Sequence, residues 1–477
     1  MTKVTALCII FSHIHIHFTN MKKILIIGAG FSGVMTAVHL LRSSPSEKIE
    51  ILLLNRSGRM ARGLAYGTQS SDHTLNVPCG NMSAFPDDPS NFLKFAQSID
   101  PAVSAGSFIS RKIYGDYLEN LLTTSEKSSV KNLKLNRVIG EAKRLEFDVD
   151  GGYVWLSDDR CYKWNKLVLA FGHFPSSNPD VLDRTFYNSS RYIRDPWNME
   201  DFSKIPATSP VLLLGTGLTA VDASISLLRR NSNRSITAVS RRGLLPQPHR
   251  HTTHKPATSY ALEKLLGHEN TVSSQLKFFL KEINALKNSG GDWRDAFAAL
   301  RPHTTAIWEK MGEKQRRQFI RHLQPYWDSH RHRVAAIIHD RFEVAKTNGI
   351  VKTFAGRIKS FEEMQNHVKV HIQPRGSLEM LNIQAEYVIN CTGPASNLER
   401  VDNELVRQLI SENRITPDKL GLGLHLAPNG AVIGGGGKIS SSLYYVGPLL
   451  KADKWEATAV PELRIYARDL AMVLLTS

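Results

Sequence analysis

The sequence contains little cysteine and no paired cysteine motif. Its four cysteines, Cys8, Cys79, Cys161 and Cys391, are spread over 477 residues without a C-x-x-C pair. This spacing argues against a disulfide framework, a cysteine zinc site and thiol–disulfide exchange, which needs two neighbouring sulfurs. Few, scattered cysteines are typical of a reducing compartment, so we expect a cytoplasmic protein without a bound metal.

Long apolar runs and acidic residues are also scarce. No segment reaches the roughly 18 apolar residues that span a bilayer, so no membrane association is expected. Lys and Arg number 60 against 44 Asp and Glu, which gives a net charge of +16. A basic chain favours anionic partners such as nucleic acid, acidic lipid or phosphate-rich cofactors. Because no nucleic-acid-binding motif is present, we predict phosphate-bearing cofactors and a solvated basic surface instead.

The first twenty residues differ from the rest of the chain. A short apolar segment follows Lys3, but a His-rich stretch interrupts it and no small-residue cleavage site is evident. His13, His15 and His17 would share one face of a strand and could suit a metal. We prefer an extension over 1–20 that is disordered, because Met21 begins KKILIIGAG, a usual start for a nucleotide-binding domain.

A glycine-rich turn follows the first apolar strand. Residues 24–27 indicate a buried parallel strand, and apolar residues at helical spacing follow the turn. The turn fits G-x-G-x-x-G and consists of Gly28, Ala29, Gly30, Phe31, Ser32 and Gly33. Its glycines allow a tight turn, close approach to a pyrophosphate and close helix–strand packing, and the helix N-terminus offers free N–H groups. This unit predicts an FAD site.

The adenosine end of that site departs from the usual pattern. The acidic residue expected about 20 positions after the glycines is replaced by Asn55, followed by Arg56. An amide can still hydrogen-bond a ribose hydroxyl, but without charge. Asn76 and Val138 are further predicted contacts of the FAD.

A second glycine turn occurs near the middle of the chain. Gly215, Gly217, Leu218 and Thr219 belong to GTGLTA, in which Ala replaces the third glycine. The next strand, ITAVS, ends in Arg241 and Arg242. Basic residues at this place can pair with a 2′-phosphate, so we predict NADPH rather than NADH; a solvated surface pair is the alternative.

Further short motifs follow apolar strands. AFGH contains Gly172 and His173, and CTGP contains Gly393. Near the C-terminus, a strand ends at Gly447 and a helix is predicted from about 456 to 475. The predicted neighbours of the flavin in this region are Trp455, Glu456 and Ala459, and we assign candidate catalytic roles to His173, Trp455 and Glu456.

These units predict an α/β protein with two Rossmann-like dinucleotide-binding domains. The FAD domain is expected over 21–205 and 391–477, and the NAD(P)H domain over 206–390. A helical insertion is expected at about 255–345.

The insertion clusters Trp, His and Arg, as in WDSHRHR at 327–333. These side chains could cover the nicotinamide or an acidic substrate, or could simply form a core and a helix face. His249, His251 and His254 could suggest a metal site, but no acid or cysteine completes the ligand set, so a loop beside the cofactor is the preferred interpretation.

Together the motifs resemble the YdhS-like family of bacterial FAD/NAD(P)-binding proteins. The resemblance extends over nearly the whole chain from Met21 and rests on GAGFSG, RGLAYG, LNVPCGNMSAFPDDPSNFL, SRKIYGDYL, LLGTGLTAVD, SRRGLLPQPH, WDSHRHR, INCTGP and WEATAVPELR. The order of motifs is remotely similar to that of flavin-dependent N-hydroxylases and other NADPH-using monooxygenases. The resemblance implies two cofactors, FAD and NAD(P)H, and leaves the substrate open.

The predicted chemistry is hydride transfer from the nicotinamide to the flavin. Three outcomes remain open for the reduced flavin. The first is hydroxylation of a small molecule with oxygen, and the second is reduction of another acceptor or dehydrogenation of a substrate. The third is a cofactor-binding scaffold or redox sensor without turnover.

Overall fold

The computed structural model describes residues 21–252, 264–265 and 271–477. His13, His15, His17 and His254 lie outside the described residues. Sixteen strands occur within the described part of the chain. They are β1 (Met21–Ile27), β2 (Lys48–Asn55), β3 (Leu133–Ile139), β4 (Ala142–Asp148), β5 (Gly151–Leu156), β6 (Cys161–Trp164), β7 (Lys166–Leu169), β8 (Tyr192–Ile193), β9 (Val211–Leu214), β10 (Ile236–Ser240), β11 (Val351–Glu363), β12 (Val368–Pro374), β13 (Leu381–Ala385), β14 (Tyr387–Asn390), β15 (Ala431–Ile433) and β16 (Ile439–Tyr445).

The α-helices of the described residues fall into three groups. Those before β9 are α1 (Phe31–Leu41), α2 (Gly63–Tyr66), α3 (Asn91–Ile99), α4 (Arg111–Ser128) and α5 (Met199–Ser203). Those between β9 and β11 are α6 (Leu218–Arg230), α7 (Val272–Asn288), α8 (Trp293–Leu300), α9 (Thr304–Lys310), α10 (Glu313–His322), α11 (Gln324–Arg331) and α12 (Ala336–Thr347). The last two are α13 (Glu404–Ser411) and α14 (Val460–Thr476).

The first sheet has the strand order β15-β16-β7-β1-β2-β3. All neighbours pair in parallel except β15, which is antiparallel to β16. Successive residues of β1 enter different cores, since Ile24 and Ile26 pack with α1 and α14, whereas Leu25 and Ile27 pack on the opposite face. Burial on both faces explains the uninterrupted apolar run in the sequence.

The second sheet has the order β13-β12-β11-β10-β9-β14-β8. Its strands from β11 to β8 pair in parallel, and β12 and β13 extend it as an antiparallel meander. Strand β8 pairs with β14, although Tyr192–Ile193 falls within the range assigned from the sequence to the first domain. A strand of two residues has no periodicity by which a sequence could assign it to a sheet.

Both large sheets carry their glycine turn at the carboxyl end of an inner strand. A separate antiparallel sheet of β4, β5 and β6 follows the first sheet's β3. Helices α7 to α11 are inserted between β10 and α12, and α12 packs against the second sheet together with β9 and β10. Within the described residues, no helix is long and apolar enough to cross a membrane.

Candidate functional site

The first glycine turn has the geometry that a pyrophosphate-binding loop requires. Gly28 has a φ of +112°, and a Cβ there would lie 2.7 Å from the carbonyl oxygen of Ala170. A Cβ on Gly33 would lie 1.9 Å from the carbonyl oxygen of Gly28. Both positions therefore need glycine. Gly28 needs it because of its positive φ and the close carbonyl of Ala170, and Gly33 needs it because the helix approaches the turn closely.

Helix α1 begins within this motif, at Phe31, with Gly30 as an N-cap that provides no side-chain hydrogen bond. The N–H groups of its first turn are therefore available to an anionic ligand. Ala29, Phe31 and Ser32 are buried, and the ring of Phe31 stacks on Tyr114 at a centroid distance of 6.5 Å. These residues can offer backbone N–H groups to a pyrophosphate, whereas the Phe31 side chain belongs to the core.

The predicted adenosine contacts lie at the carboxyl ends of β2 and β3. The amide nitrogen of Asn55 donates to the carbonyl oxygens of Ser57 (2.6 Å) and Arg59 (3.2 Å). It therefore orders the loop after β2, and only the amide oxygen is left to accept from a ribose hydroxyl. Arg56 is exposed, and the side chain of Val138 is buried in the core beneath the sheet.

An arginine that sequence reasoning missed holds the loop facing the first glycine turn. Arg62 forms ion pairs with Asp116 and Glu119 of α4 and is about nine-tenths buried. The next residue, Gly63, approaches so closely that a Cβ on it would lie 3.1 Å from the Cα of Gly30. Arg62 thereby fixes the RGLAYG segment over the turn.

The second glycine turn repeats the geometry of the first. Gly215 has a φ of +115°, and a Cβ there would lie 2.5 Å from the carbonyl oxygen of Cys391. Gly217 is the N-cap of α6 without a side-chain hydrogen bond, and a Cβ on it would meet no atom within 4 Å. The space beside Gly217 is therefore open, and the uncapped N–H groups of Leu218 and Thr219 could bind a second pyrophosphate there.

The two predicted arginines after β10 have different surroundings. Arg241 is exposed, whereas Arg242 donates to the hydroxyl of Tyr326 (3.3 Å) and to the carbonyl oxygen of Arg321 (3.0 Å). Hydrogen bonds from Arg375 and Arg242 lower the pKa of Tyr326. The insertion and the loop after β12 thus contribute Tyr326 and Arg375 to this basic cluster, and neither was identified from the sequence.

The AFGH and CTGP motifs follow β7 and β14. Gly172 lies against Pro448, since a Cβ there would come within 2.5 Å of that ring, while His173 is exposed. Gly393 has a φ of +89° with open space around it. Gly447, with a φ of +149°, packs over the hydroxyl of Tyr445, which itself donates to the carbonyl oxygen of Phe171 (2.8 Å).

The last helix begins later than predicted. Trp455 and Glu456 lie in a turn, and α14 starts at Val460 with Ala459 as its N-cap. Pro461 in the first helical turn fixes this start. The positive end of the helix dipole therefore lies at Ala459 rather than near 456.

Trp455 and Glu456 face the helical insertion. The Trp455 ring packs on Trp308 at 4.6 Å and on Phe319 at 5.1 Å. Glu456 is 3% exposed and forms an ion pair of 2.7 Å with Arg331. A buried, paired carboxylate is more suited to holding this turn in place than to transferring protons.

A cavity of about 970 Å³, named here the basic cavity, brings several of these elements together. Asn76 lines it from the first domain, Leu218 from the N-terminus of α6 and Ala459 from the N-terminus of α14. The imidazole Nε2 of His249 lies 2.9 Å from the carbonyl oxygen of Asn76, and burial lowers the His249 pKa to about 4. His249 is therefore a neutral donor that ties the two domains together.

Five arginines line the basic cavity, and four of them have carboxylate partners. Arg250 pairs with Asp292 and Asp295, Arg294 with Asp292, Arg301 with Glu462 and Arg331 with Glu456, all at 3.2 Å or less. The fifth, Arg333, has no carboxylate within 4 Å among the described residues. The cavity therefore keeps a net positive charge.

The remaining His side chains that the structure describes in this region do not group into a metal site. His251 is exposed and lies 3.6 Å from Asp340. In the part of the chain that the structure describes, no group of three His, Cys, Asp or Glu side chains could hold a metal ion.

A second contact between the domains is a buried ion pair. Arg111, at the start of α4, lies 2.9 Å from Asp222 of α6, and both side chains are about nine-tenths buried. His73 Nε2 lies 2.7 Å from the Ser226 hydroxyl of the same helix. The helix that follows the second glycine turn is thus attached to the first domain by charged and polar side chains.

Residues 25–174 match a family model described as FAD-NAD(P)-binding. This match confirms the predicted cofactor class, FAD with NAD(P)H. Among curated proteins, none matches the chain significantly.

Solved structures of similar fold cover nearly the whole chain. Reduced ornithine hydroxylase (PvdA) from Pseudomonas aeruginosa is 15% identical, with 96% of this chain and 99% of that chain covered and a TM-score of 0.65. Ornithine N-hydroxylase KtzI from Kutzneria sp. 744, with reduced FAD, NADP+ and L-ornithine, is 12% identical over 95% and 99% of the chains, with a TM-score of 0.59. Thioredoxin reductase from T. acidophilum is 11% identical over 96% and 99%, with a TM-score of 0.52. These similarities confirm the fold of two Rossmann-like domains.

Proposed function

We propose that this protein is an FAD-dependent oxidoreductase that prefers NADPH to NADH and hydroxylates a small molecule. The supporting observation is that residues at the N-termini of α6 and α14, Leu218 and Ala459, line the same basic cavity. One helix follows the second glycine turn and the other belongs to the first domain's core, so each nucleotide-binding unit presents a positive helix end to this space.

The residues of both glycine turns fit the two cofactors. Gly28 to Gly33 and α1 would hold the FAD pyrophosphate, and Gly217 to Thr219 would hold that of NADPH, because neither helix has a side-chain cap and a Cβ on Gly217 would occupy open space. Bound FAD would supply the hydride acceptor and the reaction with oxygen. The balanced reaction is NADPH, H+, O2 and RH giving NADP+, H2O and ROH.

The chain's own residues bind and orient the cofactors and shield them from water. The basic cavity's arginines and the α14 dipole favour negative charge within it. Glu456 and Trp455 act as positioning residues, since Glu456 holds Arg331 and the Trp455 ring is packed against the insertion. The motifs of the sequence further suggest the YdhS-like family, and in the structure one of them, RGLAYG, is held over the first turn by Arg62 and Gly63.

The variant Gly217→Asp tests the nicotinamide site. Gly217 has a φ of −79°, which suits any residue, and a Cβ there meets no atom within 4 Å, so the variant should keep the fold. The new carboxylate would occupy the position of the pyrophosphate. We expect the KM for NADPH to rise by about tenfold or more, with FAD content unchanged. The matched control is Asn120→Asp, which adds the same charge on the exposed side of α4. Equal KM values in the two variants would contradict the assignment.

Product analysis separates hydroxylation from its alternatives. NADPH oxidation that consumes one O2 per NADPH and yields a hydroxylated product supports the monooxygenase. Oxidation coupled to another acceptor would indicate a reductase, and a protein that binds both cofactors without turnover would indicate a scaffold or sensor.

A further inference from the structure

The helical insertion contains an apolar cavity of about 570 Å³ that the nucleotide-binding turns do not explain. Most of its wall comes from aliphatic and aromatic side chains of the five helices α7 to α11, with Trp455 closing one side. The size is that of a typical small-molecule pocket, which is concave and mostly apolar with a few polar groups. We name this space the apolar cavity.

Helix α7 contributes its apolar face to this wall. Leu276, Phe279, Leu280 and Ile283 recur at i, i+3, i+4 and i+7, and all four line the apolar cavity. In α7, only Val272 and Leu286 are buried. A face of this pattern normally packs into a core, whereas here it borders a space that an apolar ligand could fill.

The apolar cavity adjoins the basic cavity through α8. Phe297 lines both cavities, and its ring stacks on His330 at 5.8 Å. Trp293 lines the apolar cavity, and the guanidinium of Arg333 lies 5.8 Å from the centre of its ring. The unpaired cation of the basic cavity is therefore next to the aromatic wall of the apolar one.

An anionic group would compensate Arg333. Burial, together with the neighbouring Arg331 and Arg294, lowers the pKa of Arg333 to about 10, so the side chain is still charged at neutral pH. Arg333 is half-buried, and a cation that is partly removed from water without a carboxylate partner is costly unless a ligand neutralises it. The planar guanidinium fork matches a carboxylate bidentately.

We infer that the substrate is an amphipathic carboxylic acid, with its apolar body in the apolar cavity and its carboxylate on Arg333 of the basic cavity. This inference rests on the proposed function and adds the substrate class to it. A small diamine or amino acid carries charge at both ends, so its burial against the α7 face would be unfavourable.

Binding of dodecanoate to the FAD-loaded full-length protein tests the inference, measured by isothermal titration without NADPH. We expect dodecanoate to bind, dodecan-1-ol to bind about tenfold or more weakly and acetate not to bind. Failure of dodecanoate to bind, or equal affinity for the acid and the alcohol, would overturn the inference.

Two variants locate the ligand. Leu276→Trp should fill the apolar cavity and weaken dodecanoate binding about tenfold or more, whereas Asn284→Trp on the exposed side of α7 should not. Arg333→Gln should lower the affinity for dodecanoate to that for dodecan-1-ol. Equal dodecanoate affinities in Leu276→Trp and Asn284→Trp, with unchanged thermal unfolding, would also overturn it.

Stimulation of NADPH oxidation by dodecanoate links the ligand to the reaction. Dodecanoate binding could depend on Leu276 and Arg333 while NADPH does not reduce the flavin. That result would support the ligand site and contradict the proposed function. Flavin reduction by NADPH without any dodecanoate binding would support the proposed function and contradict the ligand site.

Discussion

Arg242 and Arg375 converge on the hydroxyl of Tyr326 at the carboxyl end of β10. The sequence indicated Arg242 because it follows the strand where an acid would favour NADH. Arg375 and Tyr326 come from distant segments, the loop after β12 and α11. Three groups from three elements thus lie together, and we propose that they bind the 2′-phosphate of NADPH.

We expect Arg242→Ala to raise the KM for NADPH by about tenfold to a hundredfold, with little effect on NADH, because a hydrogen bond to a charged group contributes about 1.5–3 kcal/mol. Steady-state kinetics with both nucleotides measure this ratio. Arg184→Ala, which removes an exposed arginine elsewhere, is the control. Equal changes in the KM for NADPH and the KM for NADH would contradict the proposed contact between Arg242 and the 2′-phosphate.

Sequence patterns were sufficient for residues whose role is local. Gly28, Gly33 and Gly215 could be predicted as turn glycines because the spacing G-x-G-x-x-G/A after an apolar strand marks them, and the structure gives Gly28 and Gly215 a positive φ and places Gly33 against Gly28. Arg62 could not be found this way, because its partners Asp116 and Glu119 lie 54 and 57 positions away. Pairing at such a distance depends on the tertiary fold.

At the scale of elements, the strand–turn–helix units were predictable, whereas the start of the last helix was predicted incorrectly. Both glycine units follow apolar runs that are buried on two faces, which gives a strong signal. The start of α14 was predicted at about 456, whereas Pro461 in the first turn marks a start at Val460. Weighing this proline, which favours the first helical position, would have corrected the boundary.

The attachment of α6 to α4 depends on the Arg111–Asp222 pair. Removing one partner of a buried ion pair costs about 3–5 kcal/mol, because the other charge stays buried. We expect Asp222→Asn to lower the free energy of unfolding by about 3 kcal/mol, measured by urea denaturation. Glu313→Gln, which breaks an exposed pair with Arg317, should cost less than about 1 kcal/mol. A similar small loss for Asp222→Asn would contradict a stabilising role.

The whole molecule contains buried and half-buried histidines that are neutral at pH 7. Burial lowers the pKa of His39 to about 4 and that of His249 to about 4, and it also lowers the pKa of His73. The unfolded chain, in which these groups have ordinary pKa values near 6.5, therefore takes up protons first as the pH falls.

Stability should be complete above pH 6.5 and decrease as the pH falls towards 4. At pH 5 each of His39 and His249 should lower the free energy of unfolding by about 1–2 kcal/mol, as urea denaturation at pH 7.5 and 5 would measure. His39→Gln should reduce this pH dependence, while His322→Gln at an exposed position should not. If the free energy of unfolding of the wild type were the same at pH 7.5 and pH 5, the lowered pKa values of these histidines would be contradicted.

The central claim concerns the whole molecule, in which two nucleotide-binding units meet at one basic cavity. The most direct test is the absorbance spectrum of the FAD-loaded protein, recorded without oxygen before and after addition of NADPH. We expect flavin absorbance that bleaches on addition, because hydride transfer requires the nicotinamide to lie against the flavin. A protein that takes up no FAD, or whose flavin keeps its absorbance in saturating NADPH, would contradict the account.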